Sequence, residues 1–279
     1  MTSPAIAPPL SEPPLMLFLR RLWGLALRHA YLHIGSWPRL IEMLYWPIIN
    51  MSVWGFTSLY LIRQWTDAAI IGSLFVGGVL LSEVFIRTSI TMLLLFLEEV
   101  WSRNLGHLFA SPLSFFDYVV GLIGVALVRT ALGVIPAMIV AKFLFGFSIL
   151  SYGLPLAAFI TLLVLNGFWY GLLILSMLFR YGLAAEWLAW MSTWLIIPIV
   201  APYYPVSILP HGIQMISWAL PATYVFESVK SLVNQHELRM DYLLIALGLN
   251  IVYLALAGLI FYRAYQGARK RGGILQVGE

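Results

Sequence analysis

The sequence predicts an all-α integral membrane protein with six transmembrane helices. Hydrophobic residues make up 61% of the 279 residues and charged residues only 10%, far from the balance of a soluble domain. Apolar segments of the roughly 20 residues needed to cross a bilayer recur along the chain. The spans are expected at 38–61, 70–97, 115–145, 155–179, 183–201 and 242–262. They leave no room for a sizeable soluble domain, so any nucleotide-binding or catalytic domain must belong to another chain.

The chain opens with a proline-rich stretch and a basic amphipathic segment. Residues 1–14 hold five prolines without periodicity, which predicts a disordered tail and no secretory signal. In residues 15–36, apolar side chains recur at helical spacing while Arg21 and Arg28 share the other face. Together with Arg20, these arginines predict an interfacial helix on the cytoplasmic leaflet. Packing of this helix against a partner subunit is a compatible alternative.

The distribution of basic residues predicts the orientation of residues 37–262, the six-span domain. Of the 16 Lys and Arg residues, ten fall on one side of the layout, four on the other and two inside spans. Because positive residues concentrate on the cytoplasmic side, both termini are expected in the cytoplasm. Residues 263–279 then form a basic cytoplasmic tail.

Residues 98–114, EEVWSRNLGHLFASPLS, are the longest charged interruption between two apolar segments. Their spacing predicts a short amphipathic helix at the cytoplasmic interface between spans 2 and 3. Ser111-Pro112 would end it, because the residue before a proline avoids the helical region. A helix here would be exposed to a soluble partner. An ordinary polar loop is the alternative.

The outer connection 202–240 between spans 5 and 6 is long and apolar. Pro205, Pro210 and Pro221 stand at helix-breaking positions. The pattern predicts two short helices that form a re-entrant hairpin over the outer mouth. An amphipathic loop resting on the outer leaflet is the alternative.

Ionisable residues inside the spans are costly and usually paired or turned towards a cavity. Glu83 and Arg87 are four residues apart, so they share one helix face. Arg129 has no carboxylate at helical spacing, and it is expected to pair with Glu83 or Glu42 across a helix contact. Such a group acts as polar glue between spans or lines a substrate pathway, and the first role is favoured.

Two stretches of the chain resemble the type-2 ABC permeases, six-span membrane subunits of exporters that are related in fold to the G-subfamily of ABC proteins. The first resembles the family's coupling helix through Glu98, Glu99, Arg103, Leu105 to Leu108 and Ser111-Pro112-Leu113-Ser114, although Asn104-Leu105-Gly106-His107 replaces the usual Lys-Gly-Thr-Leu run. The second resembles the family's outer segment through Pro205, Leu209-Pro210, Ile216-Ser217 and Leu220-Pro221-Ala222-Thr223-Tyr224. The resemblance covers almost the whole chain in span order.

The resemblance implies a permease subunit without a catalytic site, cofactor or metal of its own. Two copies, as a homodimer, would export a lipidic, glycan-linked or drug-like substrate by alternating access. A separate ABC ATPase subunit would bind ATP and Mg and push the coupling helix. The implied location is a bacterial inner membrane. The implied coupling residues are Glu98, Glu99, Arg103, Asn104, His107, Leu108, Ser111 and Pro112, beside Arg20, Arg21 and Arg28.

The family's cavity is lined by its first, second and fifth spans. An aromatic lining would suit a sugar ring or a planar apolar molecule. Lipid-facing packing is the alternative for each such residue. The implied pathway residues are Asn50, Trp54, Phe56, Glu83, Arg87, Trp190 and Trp194.

Two other functions stay open. An intramembrane hydrolase or acyltransferase would use His107 or His211 as a base, but no Gly-x-Ser-x-Gly, His-Glu-x-x-His or paired-aspartate motif is present. An ion-coupled secondary carrier usually has inverted repeats, which this sequence lacks, and Glu83 is the only acidic residue near a span centre. The net charge of +4 reflects basic membrane anchors and does not indicate nucleic-acid binding. The chain has no cysteine, which excludes thiolate chemistry.

Overall fold

The computed structural model describes residues 13–64, 68–104 and 114–270. Helices fill most of this part of the chain, which contains no strand. The predicted all-α fold class is therefore confirmed. The helices are α1 (Pro14–Ile34), α2 (Trp37–Gln64), α3 (Ala68–Trp101), α4 (Phe115–Phe145), α5 (Pro155–Tyr181), α6 (Glu186–Val200), α7 (His211–Ala219), α8 (Pro221–Gln235) and α9 (Met240–Lys270).

Four stretches of the described chain are long and apolar enough to cross a membrane: Leu74–Trp101, Phe116–Phe145, Pro155–Val200 and Met240–Lys270. They support a helical membrane protein. The third stretch contains both α5 and α6, because the chain turns at Gly182, whose φ of 70° lies in the left-handed region that glycine accepts. Helices α2 to α6 and α9 coincide with the six expected spans, and the crossing of the bilayer by all six stays a prediction.

Side-chain contacts define the direction of the long helices. Phe96, near the end of α3, packs on Phe179, near the end of α5, with ring centroids 4.8 Å apart. Tyr152, just before α5, and Pro202, just after α6, both lie against residues 77–78 at the start of α3. The chain therefore follows α3 to its end along α5 and returns along α6.

Helix α3 is the centre of the fold. Every side chain from Val76 to Val100 is buried, apart from those of Arg87 and Leu94, which are partly buried. Helices α2, α4 and α5 pack around it. Helices α4 and α9 instead turn many apolar side chains outward, as expected for surfaces in contact with lipid tails.

Helix α5 approaches α3 closely at two glycines that are four residues apart. A Cβ atom at Gly167 would lie 2.5 Å from the Cβ of Thr88, and one at Gly171 would lie 3.0 Å from the Cβ of Met92. Small residues at this spacing let helix backbones pack tightly where no hydrophobic effect drives them together. The α3–α5 contact therefore depends on both glycines.

The outer connection forms the two short helices α7 and α8. The hydroxyl of Tyr253 in α9 donates a hydrogen bond to the carbonyl of Ala219 at 2.8 Å. The rings of Trp218 and Tyr224 pack on that of Tyr242. The turn between α7 and α8 thus lies beside α9, between the levels of Tyr242 and Tyr253. The predicted pair of short helices is present, and its insertion into the bilayer stays a prediction.

A buried lysine fastens the start of this connection to α8. The Nζ of Lys230 donates to the carbonyl of Ala201 at 2.7 Å, to that of Tyr204 and to the carboxylate of Glu227 at 2.7 Å. Glu227 also accepts from the backbone N–H of Val206 at 3.0 Å. These bonds fix the irregular chain after α6, where no helix would satisfy its backbone groups.

The chain ends depart from the expected boundaries on one side. Helix α9 continues through Lys270, so the first part of the expected tail 263–279 is helical. Residues 1–12 and 271–279, which include most of both expected tails, lie outside the described residues.

Candidate functional site

A bidentate ion pair holds α1 against the end of α3. Arg28 donates from Nε to Oε1 of Glu99 at 2.7 Å and from Nη2 to Oε2 at 2.8 Å. Asn104 Nδ2 donates to the same Oε2 at 2.8 Å. Glu99 is 1% exposed, and these three charge-assisted bonds replace its lost hydration.

A second ion pair holds α1 against the start of α4. Arg21 Nη1 donates to Oδ2 of Asp117 at 2.9 Å. Asp117 also accepts from the backbone N–H of Ser114, and the Ser114 hydroxyl accepts from the N–H of Asp117, which forms a capping box. Helix α1 is therefore tied to both helices that flank residues 105–113.

Helix α3 ends in a Schellman motif. The N–H of Asn104 donates to the carbonyl of Glu99 at 2.9 Å, and the N–H of Arg103 donates to that of Val100 at 2.9 Å. Arg103 takes the left-handed position with a φ of 53°, where glycine is usual. Its side chain is exposed, so a cation marks the edge of the 105–113 segment.

The structure corrects the expected start of the coupling helix 98–114. Glu98 and Glu99 belong to the last turn of α3, and they are only 7% and 1% exposed. The expectation that they face a soluble partner is wrong, because side chains of α1 and α4 surround and bind both carboxylates. Arg103 is exposed and Asn104 is partly exposed at this end. His107, Leu108, Ser111 and Pro112 lie outside the described residues.

The interfacial helix also differs from its predicted orientation. Arg21 and Arg28 were expected on the face opposite the apolar side chains, towards the lipid headgroups. They instead flank Leu25, which is 6% exposed, and both point at carboxylates of the helix bundle. Arg20 is exposed.

Two buried histidines of α1 lie beside Arg28. His29 is 2% exposed and His33 is 8% exposed. His33 Nδ1 donates to the carbonyl of His29 at 2.7 Å, so its Nε2 is the acceptor of the neutral ring. Burial and the nearby Arg129 hold the pKa of His33 below its ordinary value of 6.5. His33 is therefore neutral at pH 7.

The carboxylate of Glu98 lies close to these rings without bonding to them. His33 Nε2 is 3.7 Å from Glu98 Oε1, and His29 Nδ1 is 3.8 Å from Glu98 Oε2. Within the described residues, both ring nitrogens of His29, the Nε2 of His33, the Oε2 of Glu98 and the Nε of Arg129 have no hydrogen-bond partner. This density of unmet polar atoms is unusual for a protein interior.

Arg129 pairs with Glu98, with 3.4 Å between Nη1 and Oε1, so the expected ion pair between Glu83 and Arg129 is wrong. The physical reason is side-chain direction. Helical side chains tilt towards the N-terminus of their own helix, and α3 and α4 run in opposite directions. Glu98 and Arg129 therefore tilt towards each other, whereas Glu83 tilts away from Arg129.

Glu83 forms a separate polar cluster in α3. It accepts from Arg87 Nε at 3.1 Å, as their spacing predicts, and from the side-chain amide of Asn50 in α2. Glu83 is 1% exposed. This cluster joins α2 to α3, as polar glue would.

The aromatic residues expected along a pathway do not share one surface. Trp54 stacks on Tyr203, with ring centroids 4.8 Å apart. Phe56 packs edge-on against Phe145 and is 60% exposed. These two residues of α2 are thus engaged with different helices.

Trp190 and Trp194 do lie together. Both line an open apolar groove along α6 with a volume of about 1040 Å³. Trp187, Met191 and Leu195 belong to the same lining. The volume is at the upper end of the range of ligand pockets.

Sequence reasoning missed the two histidines and Asp117. A signal was present, because Leu22, Leu25, His29 and His33 recur at helical spacing and extend one buried stripe of α1. Asp117 stands three residues after Ser114, which is the spacing of a capping box. The partners of all three come from helices that are distant in sequence, which a local pattern does not reveal.

No protein-family model matches this chain, and no curated protein matches it significantly. Within the part of the chain that the structure describes, no group of three or more His, Asp or Glu side chains is placed to hold a metal ion.

Proposed function

We propose that this chain is the membrane-spanning permease subunit of an ATP-driven exporter. In this proposal two copies pair in a bacterial inner membrane, and each rests on a separate ABC ATPase subunit. The cargo is a lipidic, glycan-linked or drug-like molecule taken from the cytoplasm or the inner leaflet. The chain itself carries no catalytic site.

The observation that carries the proposal is the double attachment of α1. Arg28 binds Glu99 at the end of α3, and Arg21 binds Asp117 at the start of α4. Residues 105–113 join these two helix ends. A push on that segment would therefore reach α1, α3 and α4 together, which is the mechanical property that a coupling element needs.

The chain's own residues then have mechanical rather than chemical roles. Arg103 and Asn104 stand at the edge of the segment that would meet the ATPase. The buried pairs of Glu98 and Glu99 resist separation of the three helices, so they would move as a unit when the ATPase closes on ATP. Two discrete arrangements of such packed helices constitute alternating access.

The α6 groove supports an apolar cargo. Its aromatic and aliphatic lining offers stacking surfaces and few charges, and indole rings favour sugar faces and planar apolar molecules. If a second copy lay across α6, the groove would become part of an enclosed path between the two chains.

The test is purification of the tagged full chain in its own lipids, followed by mass spectrometry of the bound proteins. We expect an ATPase with nucleotide-binding motifs at equal stoichiometry. Arg103→Glu should reduce its recovery by about tenfold, because loss of a charge-assisted contact is worth about 1.5–3 kcal/mol.

The matched control is Arg63→Glu, which reverses an exposed arginine at the opposite end of the bundle. It should leave recovery of the ATPase unchanged. A chain that purifies without any ATPase, and that transports cargo in vesicles lacking ATP, would overturn the proposal in favour of an ion-coupled carrier.

A further inference from the structure

A second cavity, separate from the α6 groove, lies between α1, α2 and α4. It has a volume of about 370 Å³, within the range of small-molecule sites. Apolar side chains form its walls, among them Leu27, Val128 and Leu132. Val128 and Leu132 are 60% and 49% exposed, so the cavity opens sideways onto the surface that lipid tails would cover.

Polar atoms without partners line the base of this cavity. His29, His33 and Arg129 all contribute to its lining, and each is more than nine-tenths buried. Arg129 Nε is an unmet donor, and His33 Nε2 is an unmet acceptor. Glu98 Oε2, directly behind the rings, is a second unmet acceptor. A ligand that fits must therefore supply both an acceptor and a donor.

The charges around the base balance. Arg28, Arg39 and Arg129 contribute three positive charges, and Glu42, Glu98 and Glu99 contribute three negative charges. The histidine rings add none, since His33 is neutral at pH 7. Pockets for anionic lipid headgroups carry an excess of basic residues, which this one lacks.

We infer that this cavity binds one zwitterionic phospholipid with a primary ammonium group, of the phosphatidylethanolamine class, from the leaflet in which α1 lies. The ammonium group serves His33 Nε2 and Glu98, the phosphate accepts from Arg129 Nε, and an acyl chain follows Val128 and Leu132. The lipid completes the polar contacts between α1 and α4. This inference requires a membrane location and is independent of any ATPase partner.

The first test uses the unaltered full chain. It is reconstituted into nanodiscs of phosphatidylcholine that contain an equal amount of either phosphatidylethanolamine or phosphatidylglycerol. The protein is then re-extracted, and its retained lipid is counted by mass spectrometry. We expect one phosphatidylethanolamine per chain, retained about tenfold over phosphatidylcholine, whose quaternary head cannot donate a hydrogen bond.

A pair of tryptophan substitutions localises the lipid. Val128→Trp fills the cavity and should lower retention at least about fivefold, whereas Leu127→Trp, on an exposed neighbour outside the lining, should not change it. Both variants are compared at equal thermal midpoints. If Val128→Trp does not fold, Ala30→Phe fills the same cavity from α1.

Each contrary result overturns the inference. Preferential retention of phosphatidylglycerol or of a free fatty acid would refute the zwitterionic head. Retention in proportion to the nanodisc composition would refute a specific site. Equal loss of lipid from the Val128 and Leu127 variants would refute its location.

Discussion

Glu98 and Arg129 meet because they tilt in opposite directions along two antiparallel helices. Their atoms Oε1 and Nη1 are 3.4 Å apart, although the residues stand on different helices and both side chains are buried. A charge of this kind cannot be removed alone without leaving its partner unpaired in an apolar surrounding.

Glu98→Gln should therefore lower the free energy of unfolding by about 3 kcal/mol, the scale for breaking one partner of a buried pair. Denaturant unfolding in mixed micelles, followed by circular dichroism, measures the change. The charge-swapped double variant Glu98→Arg, Arg129→Glu should recover part of the loss. Better recovery by the swap of Glu83 with Arg129 would contradict the observed pairing.

Arg28→Ala should loosen α1 without unfolding the bundle. It leaves the Glu99 carboxylate buried with Asn104 as its remaining donor, a loss of about 1.5–3 kcal/mol for a charged hydrogen-bonded pair. Hydrogen exchange should rise across residues 15–34 and stay constant in α5. Arg180→Ala, which removes an exposed arginine at the end of α5, serves as the control, and equal effects of both changes would refute the docking role of Arg28.

The attachment of α1 should weaken in acid. Because the folded-state pKa of His33 lies below 6.5, the unfolded state binds more protons as pH falls, and stability drops with it. The stabilisation is complete above pH 6.5 and is lost progressively below it. Protection factors of α1 amides across this range report the loss.

Two variants separate this titration from general acid effects. His33→Gln should flatten the pH dependence of α1 protection, and His211→Gln, at an exposed position in α7, should leave it unchanged. Protection that does not depend on pH in the unaltered chain would show that His33 titrates normally.

Gly167→Ala should destabilise the α3–α5 contact. The new Cβ would stand 2.5 Å from the Cβ of Thr88, and overpacking of this kind costs about 1–3 kcal/mol. Gly248→Ala on α9, where a Cβ meets nothing within 4 Å, should be neutral. The difference between the two thermal midpoints is the measurement, and a shift of similar size in both would argue against tight packing at Gly167.

The depth of the outer hairpin can be measured with single cysteines, since the chain has none of its own. A membrane-impermeant maleimide should label His211→Cys readily in intact membranes and Ala219→Cys slowly. Both positions are exposed on the protein surface itself, so protection of Ala219 must come from the bilayer. Fast labelling of both sites would place the hairpin in water.

Much of the fold follows from hydropathy alone. The segment 115–145 was bounded correctly at both ends, because Ser114 and Gly146 are ordinary helix-boundary residues and nothing distant alters them. The start of the expected coupling helix failed for the opposite reason. Glu98 and Glu99 look like surface residues in the sequence, and only the arrival of α1 and α4 explains their burial.

The candidate site was predictable only in part. Local spacing gave the pairing of Glu83 with Arg87, a contact within one helix. The pairing of Arg129 depended on which way two side chains tilt, and the role of His29 and His33 depended on how α1 rotates. Residue spacing carries neither quantity.

The central position of α3 has a consequence for synthesis at the ribosome. Glu83 and Glu99 find their partners Asn50 and Arg28 in chain that has already been made, whereas Glu98 must wait for Arg129. At 5–20 residues per second, the 31 residues between them take roughly two to six seconds. For that interval α3 leaves the translocon with an unpaired carboxylate, so an insertase or chaperone that shelters this helix would raise the yield of correctly assembled protein.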